Sequence, residues 1–287
     1  MKPFFYIISM FPKSFFVYLV DFYLYTKLYK FFKTYKVTKI NIEIAYPDLN
    51  RFDLEQVSKL SIRESIISGF ETIFTWGRNE THSNTKIFKV KNNFLLKKLF
   101  EGGDGLIAVA IHNRSVDMLL KWINSNITTV SLYKKVKNKS LENFVKKDRE
   151  ASGSTSVQTS IGGVRKIFKA LKENKAICFA ADQVPQRGLG EYVKFFNRDA
   201  YTTTLAQSLA IKTKAPVIYC YINSNKSNFL SVTIKQCSGS IYDDSKHILL
   251  LNNDIEKMIN ERPIDYSWEY KRFKRSRHPD KDPYSSI

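Results

Sequence analysis

Two side chains in the middle of the chain, His112 and Asp117, have types and a spacing suited to proton transfer. The unperturbed pKa of histidine lies nearest to neutrality, so an imidazole can take a proton from a hydroxyl and return it. A carboxylate that holds the ring in one tautomer and stabilises the imidazolium makes the histidine a better base. The pair is therefore predicted to be a general-base dyad. The spacing alone leaves open a turn with an incidental histidine.

The sequence around His112 predicts the elements that position it. Residues 106–111 are continuously apolar, which is typical of a strand buried on both faces. From Val116 onward, apolar residues recur at the spacing of one helix face, and Ser115 stands where an N-cap is expected. His112 therefore follows the carboxyl end of a buried strand, and Asp117 lies in the first turn of the next helix. Ligands of open α/β sheets bind at the carboxyl ends of the strands.

A second predicted strand also ends in polar side chains. Asp182 and Gln183 follow the apolar residues 177–181. Polar loop residues beside a scaffold strand are natural binding residues, so both are candidates for contact with a substrate. A structural turn capped by Asp182 is the alternative.

Two further residues are candidates on the basis of their side chains. Arg149 ends the strongly basic stretch 134–150, and its forked guanidinium is suited to holding a phosphate or an oxyanion. Thr203 lies in a run of three threonines before a predicted helix, where hydroxyls can cap the helix or line a polar site. A solvated helix face is the alternative for the basic stretch.

The charge balance indicates an anionic partner. The 287 residues include 46 Lys and Arg against 27 Asp and Glu, a formal net charge of +19. A nucleic acid, an anionic membrane surface and an acidic substrate or carrier would each complement this charge. The 21 Phe and 16 Tyr residues suit a membrane interface as well as a nucleic acid, so composition alone leaves both open.

The cysteines argue against a structural metal site. Cys178, Cys220 and Cys237 lie far apart in apolar, strand-like stretches, and the sequence has no C-x-x-C motif or Cys/His cluster. Neither a zinc site nor a disulfide framework is predicted. We expect buried thiols, consistent with a reducing compartment, and no metal.

The N-terminal residues 1–35 are predicted to be a membrane anchor. The segment is the most apolar and aromatic of the chain, but Lys13 and Asp21 interrupt it, so it lacks an apolar run of about 18 residues. Pro12 would kink or divide a helix. A marginal spanning helix and a helix lying in the interface both fit, and an aromatic core helix is the alternative. Lysines after the segment predict that the rest of the chain is cytoplasmic.

Residues 36–287 are predicted to form one α/β domain, a mixed and largely parallel sheet flanked by helices. No internal repeat or low-complexity linker divides this part of the chain. Residues 53–79 and 92–100 have helical patterns, and residues 127–133 read as a strand after the His112 unit. Residues 38–50 alternate apolar and polar side chains up to Pro47.

Seven short segments, in order along the chain, resemble one family. They are Asn41-Ile-Glu-Ile-Ala-Tyr-Pro-Asp, His112 with Asp117, Ile161-Gly-Gly-Val-Arg, Ala181-Asp-Gln-Val-Pro, Val193-Lys-Phe-Phe, Thr202-Thr-Thr and Trp268-Glu-Tyr-Lys-Arg-Phe-Lys. As an ordered set that spans nearly the whole chain, they resemble the lipid A late acyltransferases, the lauroyl/myristoyl acyltransferases of Gram-negative envelopes.

The resemblance implies a glycerolipid-acyltransferase-like fold and an O-acyl transfer. A fatty acyl chain would move from the thioester of acyl carrier protein, or of CoA, to a hydroxyl of a lipid A precursor. The reaction would take place on the cytoplasmic face of the inner membrane, with no cofactor beyond the thioester co-substrate and no nucleic acid.

The resemblance also implies roles for individual residues. His112 would be the general base and Asp117 its partner, with Arg149 near the tetrahedral intermediate. Asp182 and the threonines 202–204 would shape the site. Two alternatives remain at this point: an acyltransferase of the same fold with another glycolipid or phospholipid acceptor, and a non-catalytic basic protein that binds membranes or nucleic acid.

Overall fold

The computed structural model describes residues 1–243, 249–278 and 281–287. Within these residues, helices pack on both faces of a seven-stranded sheet, and a separate two-stranded hairpin lies beside it. The helices are α1 (Lys2–Met10), α2 (Lys13–Tyr25), α3 (Lys33–Ala45), α4 (Arg51–Gly77), α5 (Glu80–Asn84), α6 (Asn93–Glu101), α7 (Val116–Asn126), α8 (Lys139–Arg149), α9 (Ile161–Lys172), α10 (Leu205–Thr213) and α11 (Leu249–Asn260). The strands are β1 (Ile87–Lys91), β2 (Leu106–Ala110), β3 (Thr129–Tyr133), β4 (Thr155–Gln158), β5 (Ala176–Ala180), β6 (Gly190–Phe195), β7 (Arg198–Thr203), β8 (Val217–Ser224) and β9 (Leu230–Gln236).

The sheet is mixed and largely parallel, which confirms the predicted fold class. Its strand order is β1-β9-β8-β2-β5-β3-β4, and every neighbouring pair is parallel except the antiparallel β8–β9. Strands β6 and β7 form the separate antiparallel hairpin. The carboxyl ends of β2, β5 and β3, which are neighbours in the sheet, therefore open onto one edge.

The central strand β2 is buried on both faces, as its continuous apolar run predicted. Ile107 and Val109 belong to one core cluster, whereas Leu106, Ala108 and Ala110 belong to another. The alternation of side chains along a strand divides them in this way between the two faces of the sheet. Because helices cover both faces, an apolar side chain is required at every position of this strand.

The N-terminal segment differs from the predicted single anchor helix. Residues 2–25 form two helices, α1 and α2, which break at Phe11 and Pro12 and are bent by 86°. Proline has no backbone N–H and clashes with the preceding turn, which explains the break. Among the described residues no single helix is long and apolar enough to cross a membrane, and only the bent pair, α1 with α2, meets that test of length and composition.

The charges that interrupt the N-terminal segment attach α2 to α4. The Lys13 ammonium lies 2.7 Å from Glu71, and Asp21 lies 2.5 Å from the Arg63 guanidinium. The ring of Phe16 stacks on Phe70 between them, with centroids 4.5 Å apart. The helix α2 therefore lies along α4 and exposes its opposite, aromatic side.

One local pattern forms a structure other than the one expected. Residues 38–45, whose apolar side chains alternate, belong to the helix α3, where Val37, Asn41, Ile42 and Ala45 are buried at helical spacing. The threonine run leads into a helix as predicted: Thr202 and Thr203 end the strand β7, Thr204 is the N-cap residue, and α10 starts at Leu205. Other predicted elements, including the long helix α4 and the strands β2, β3, β5, β8 and β9, are present.

Candidate active site

His112 lies where two parallel neighbours end in register. Ala110 of β2 pairs with Ala180 of β5, so the residues two positions later, His112 and Asp182, emerge side by side. The Asp182 carboxylate lies 2.8 Å from the His112 ring Nδ1 and accepts the backbone N–H of the same histidine at 2.9 Å. The carboxylate is buried, while the ring is 27% exposed. Asp182 thus fixes both the ring and the backbone of His112.

The opposite charges of His112 and Asp182 stabilise each other. Burial by itself disfavours the charged forms, lowering the pKa of His112 and raising that of Asp182. The mutual charge interaction and hydrogen bond outweigh burial, so the pKa of His112 lies above its usual 6.5 and the pKa of Asp182 lies below its usual range. With Asp182 ionised, Nδ1 carries the proton and donates a hydrogen bond to the carboxylate. The lone pair of the neutral ring is then at Nε2, 3.1 Å from the Gln183 amide nitrogen.

Asp117 has a different partner from the one that its spacing suggested. Its carboxylate accepts a hydrogen bond from Arg149 Nε at 2.7 Å, whereas the hydrogen bonds of the His112 ring are with Asp182 and Gln183. The N-cap Ser115 starts α7 as predicted, accepting the backbone N–H of Met118. In the first helical turn the Asp117 side chain faces α8, which carries Arg149. Its negative charge still acts on the His112 ring and raises its pKa as a smaller contribution.

His112, Arg149, Gln183 and Thr203 line one cavity of about 800 Å³, the active-site cavity. Asp117 and Asp182 lie behind Arg149 and His112, to which they are bonded. The structure thus brings all six predicted site residues to one edge of the sheet. Thr203 also accepts the backbone N–H of Leu205, whereas the neighbouring hydroxyl of Thr202 is buried and bonded to Asn252 and Arg272.

The cavity combines apolar walls with a cationic rim. Its apolar lining comes from α7, β2, β3, β5 and the loop after β5, and includes Val116, Leu119, Leu120, Leu132, Phe179 and Val184. The charged residues that line it are Lys134, Lys135, Arg149, Lys274 and Arg275. Among the described residues, no Asp or Glu lines it. An amphiphile with an apolar tail and an anionic head matches this lining.

A thiol in the cavity is unsuited to covalent catalysis. Cys178 of β5 lines the cavity, and burial raises its pKa to about 12. The thiolate is the nucleophilic form, so this cysteine stays protonated and inert near neutral pH. In the part of the chain that the structure describes, no cluster of three or more His, Cys, Asp and Glu side chains could hold a metal ion.

A buried ionic network fixes the loop that follows His112. Arg114 has a left-handed backbone, with φ of 55°, and its guanidinium is bonded to Glu64 and Glu71 of α4. Its backbone N–H donates to the carbonyl of Asp265, and the carbonyl of His112 accepts from the N–H of Ser267. The loop that carries His112 is therefore held between α4 and the C-terminal segment 265–267.

Sequence reasoning missed two residues of the C-terminal part of the chain. Tyr270 lines the cavity, and its hydroxyl accepts the backbone N–H of Val184. Glu269 accepts a hydrogen bond from Ser65, and its negative charge interacts with His112. Burial raises the pKa of Glu269. Both lie in the motif Trp268-Glu-Tyr-Lys-Arg-Phe-Lys, but the pattern does not show that this segment returns to the active site.

These features define a class of protein: an α/β enzyme with a histidine–carboxylate pair at the carboxyl edge of a parallel sheet, open to an apolar, cation-rimmed cavity. Residues 3–275 match the model of one family, described as bacterial lipid A biosynthesis acyltransferase. The chain belongs to this family and is an acyltransferase, as the resemblance implied. Membership argues against the non-catalytic alternative.

Curated relatives agree with this assignment. The chain is 21% identical over 241 residues to a lipid A biosynthesis palmitoleoyltransferase of Escherichia coli, covering 83% of this chain and 78% of the relative. It is 22% identical over 252 residues to a lipid A biosynthesis acyltransferase of Haemophilus influenzae, covering 86% and 79%. A lipid A biosynthesis acyltransferase of Shigella flexneri matches at 21% over 241 residues, with coverage of 83% and 78%.

Proposed function

We propose that this acyltransferase moves a fatty acyl chain from the thioester of an acyl carrier protein, or of CoA, to a hydroxyl of a lipid A precursor. The observation that carries the proposal is that the His112 ring opens into an apolar cavity. The charged residues that line this cavity, among those that the structure describes, are all cationic. The apolar walls suit the acyl chain, and the cations suit a phosphorylated glycolipid and an acidic carrier. The names of the family and of its curated relatives support lipid A as the acceptor.

In this mechanism His112 is the general base. Its Nε2 takes the proton from the acceptor hydroxyl as the oxygen attacks the thioester carbonyl carbon. Asp182 keeps the proton on Nδ1 and stabilises the imidazolium that forms. The tetrahedral intermediate then collapses, the C–S bond breaks, and the imidazolium returns the proton to the leaving thiolate. The products are the ester and the free thiol, and His112 ends in its starting state.

Arg149 is the proposed cationic stabiliser of the oxyanion. Its Nε is bonded to Asp117, which fixes the plane of the guanidinium, and the side chain lines the same cavity as His112. Donors held in place before the reaction stabilise developing charge without reorganisation. Asp117 accordingly acts through Arg149 as well as through its electrostatic effect on His112. Gln183 and Thr203 contact the substrate from the cavity wall.

The enzyme is proposed to act on the cytoplasmic surface of the inner membrane. The exposed side of α1 and α2 carries large apolar side chains, among them Phe4, Ile7, Phe15, Tyr18, Leu19 and Phe22. Because α2 is attached along α4 through Lys13 and Asp21, the exposed side suits a helix lying in the interface. The net charge of +19 complements an anionic leaflet.

Mass spectrometry of lipid A from cells with and without the protein tests the proposed acceptor. We expect a lipid A species heavier by one acyl substituent only in cells that contain the protein. An unchanged lipid A profile, together with a newly acylated lipid of another class, would assign the activity to that lipid instead.

A further inference from the structure

A second cavity, of about 750 Å³, lies between the N-terminal helices and the sheet edge formed by β1 and β9. Its apolar lining includes the inward side chains of Phe70, Phe74, Met118 and Leu230, from α4, α7 and β9. Met118 is the neighbour of Asp117, and other side chains of α7 line the active-site cavity. One helix therefore separates the two cavities, and His112 lines only the first.

Exposed aromatic and apolar side chains surround the second cavity. Phe11 lies at the break between α1 and α2, and Phe88 and Phe229 lie on β1 and before β9, with ring centroids 5.1 Å apart. Lys13 Nζ bonds the carbonyl of Asn228 at 2.9 Å, so the start of α2 is attached to the β8–β9 turn. The rings are therefore continuous with the exposed aromatic side of α1 and α2, the proposed membrane surface.

The charges at the second cavity favour an anion. Its lining includes Lys13, Arg78 and Lys86 and one carboxylate, Glu71, which is bonded to Lys13 and Arg114. Within the described part of the chain, Arg78 and Lys86 form no ion pair with a carboxylate, and Arg78 Nε is buried without a hydrogen-bond partner. The Lys86 ammonium lies over the Phe74 ring, 5.0 Å from its centroid. The two cations Arg78 and Lys86 therefore lie beside the apolar interior of the second cavity.

We propose that the second cavity binds an anionic phospholipid of the membrane, with one acyl chain among Phe70, Phe74 and Met118 and the phosphate at Lys86 and Arg78. This inference rests on the proposed membrane association but not on the acyl-transfer chemistry. A phospholipid bound there holds the N-terminal helices and the β1–β9 edge at the bilayer surface while the active-site cavity stays free for substrates. The acceptor lipid is the alternative occupant. With its acyl chains in the second cavity, it would have to extend past α7 to bring its hydroxyl to His112.

Photo-crosslinking of the full-length protein in vesicles tests the proposal. The probe is phosphatidylglycerol with a diazirine at the end of one acyl chain, in phosphatidylcholine vesicles, and the labelled peptides are mapped by mass spectrometry. We expect labelling of the peptide that contains Phe70 and Phe74, which line the second cavity and not the active-site cavity, and this labelling should be at least about fivefold stronger than by a phosphatidylcholine probe with the same chain. Equal labelling by both probes would overturn the anionic preference, and no labelling of the cavity peptides would overturn the site.

Two variants with matched controls distinguish specific binding in the second cavity from general attraction of the protein to the bilayer. Lys86→Glu removes a charge contact and Phe88→Ser an apolar contact, and each should reduce labelling by at least about fivefold. Lys172 is also exposed and lies over a ring, Phe168, at 5.0 Å, so Lys172→Glu makes the same charge change elsewhere. Phe52→Ser is the second control, because Phe52 is 70% exposed and Phe88 is 69% exposed. Phe52 is distant from the second cavity: it lies 18 residues before Phe70 on α4, about 27 Å away along the helix. Equal losses of labelling in Lys172→Glu and Phe52→Ser would overturn the proposed site.

The assay also distinguishes the phospholipid proposal from the acyl-transfer proposal, and a bound phospholipid from a bound acceptor lipid. Labelling does not require acyl transfer, so it can succeed when the transfer proposal fails. Unlabelled lipid A precursor is then added as a competitor. Loss of the label on the Phe70 and Phe74 peptide when the precursor is added, but not when excess phosphatidylglycerol is added, would indicate that the acceptor occupies the second cavity and would overturn the phospholipid assignment.

Discussion

The His112 ring Nδ1 lies 2.8 Å from the Asp182 carboxylate, although 70 residues separate the two in the chain. The same carboxylate accepts the backbone N–H of His112, so one buried acid fixes the ring, its tautomer and the loop that carries it. Neighbouring strands in parallel register, β2 and β5, produce this arrangement. The chemistry proposed for His112 depends on it.

Replacement of Asp182 by asparagine should therefore lower the rate strongly. The asparagine amide would keep much of the shape of the carboxylate but would not hold the proton on Nδ1 or stabilise the imidazolium. We expect Asp182→Asn to lower kcat by about 100- to 10,000-fold with a smaller change in KM. A purified transfer assay measures both constants. Activity within about threefold of the unsubstituted protein would show that Asp182 is not the partner that matters.

The pH dependence follows from the raised pKa of His112. Below that pKa, Nε2 is protonated and cannot accept the proton of the acceptor hydroxyl; above it, the ring is neutral and active. We expect kcat/KM to rise with pH and to level off above an apparent pKa that is higher than the usual 6.5. In Asp182→Asn, loss of the negative charge lowers the pKa of the ring, so the rise should move to lower pH. An identical profile in both proteins would contradict this electrostatic coupling.

Asp117 and Arg149 are expected to act as one unit. Arg149→Ala removes the proposed oxyanion donor and should lower kcat by about 100- to 1,000-fold. If Asp117 acts mainly by fixing the guanidinium, the double variant Asp117→Asn/Arg149→Ala should be no slower than Arg149→Ala alone. A double-mutant cycle on kcat measures this coupling. Fully additive effects would instead indicate that Asp117 acts on His112 independently.

Arg114 should be important for stability. Its side chain is buried among Glu64, Glu71 and Asp265, so Arg114→Met leaves an excess of negative charge in the interior. Removing one partner from a buried ionic network costs about 3–5 kcal/mol in the free energy of unfolding. Urea unfolding of the purified protein measures the loss, and Arg187→Met, on an exposed loop, is the control. A loss below about 1 kcal/mol, as for a surface pair, would contradict the expectation.

Much of the site could be predicted because its signals are local in the chain. The apolar run before His112, the N-cap Ser115 and the helical spacing after it each predict an element that the structure contains. The partner of His112 could not be found in this way. Asp117 is five residues away and Asp182 is 70, and only the strand order, with β5 beside β2, brings the distant acid to the ring.

The N-terminal helices show a second limit of local patterns. Composition predicted one anchor and treated Lys13 and Asp21 as interruptions. In the structure both charges have partners on α4, Glu71 and Arg63, and those partners come from a later part of the chain. A charged residue in an apolar segment can therefore form an ion pair with another helix of the same protein. Hydropathy alone does not distinguish such a residue from one that only interrupts a membrane helix. Pro12, by contrast, marked the break correctly.

The most direct test of the central claim is transfer of a labelled acyl chain from acyl carrier protein to a lipid A precursor by the purified His112→Ala variant. His278→Ala, which changes an exposed histidine, is the matched control, and thermal unfolding verifies that both variants are folded. If the His112 ring takes the acceptor proton, His112→Ala should lose at least about 100-fold in rate while His278→Ala keeps full activity. Near-normal transfer by folded His112→Ala would contradict the assignment of His112 as the general base.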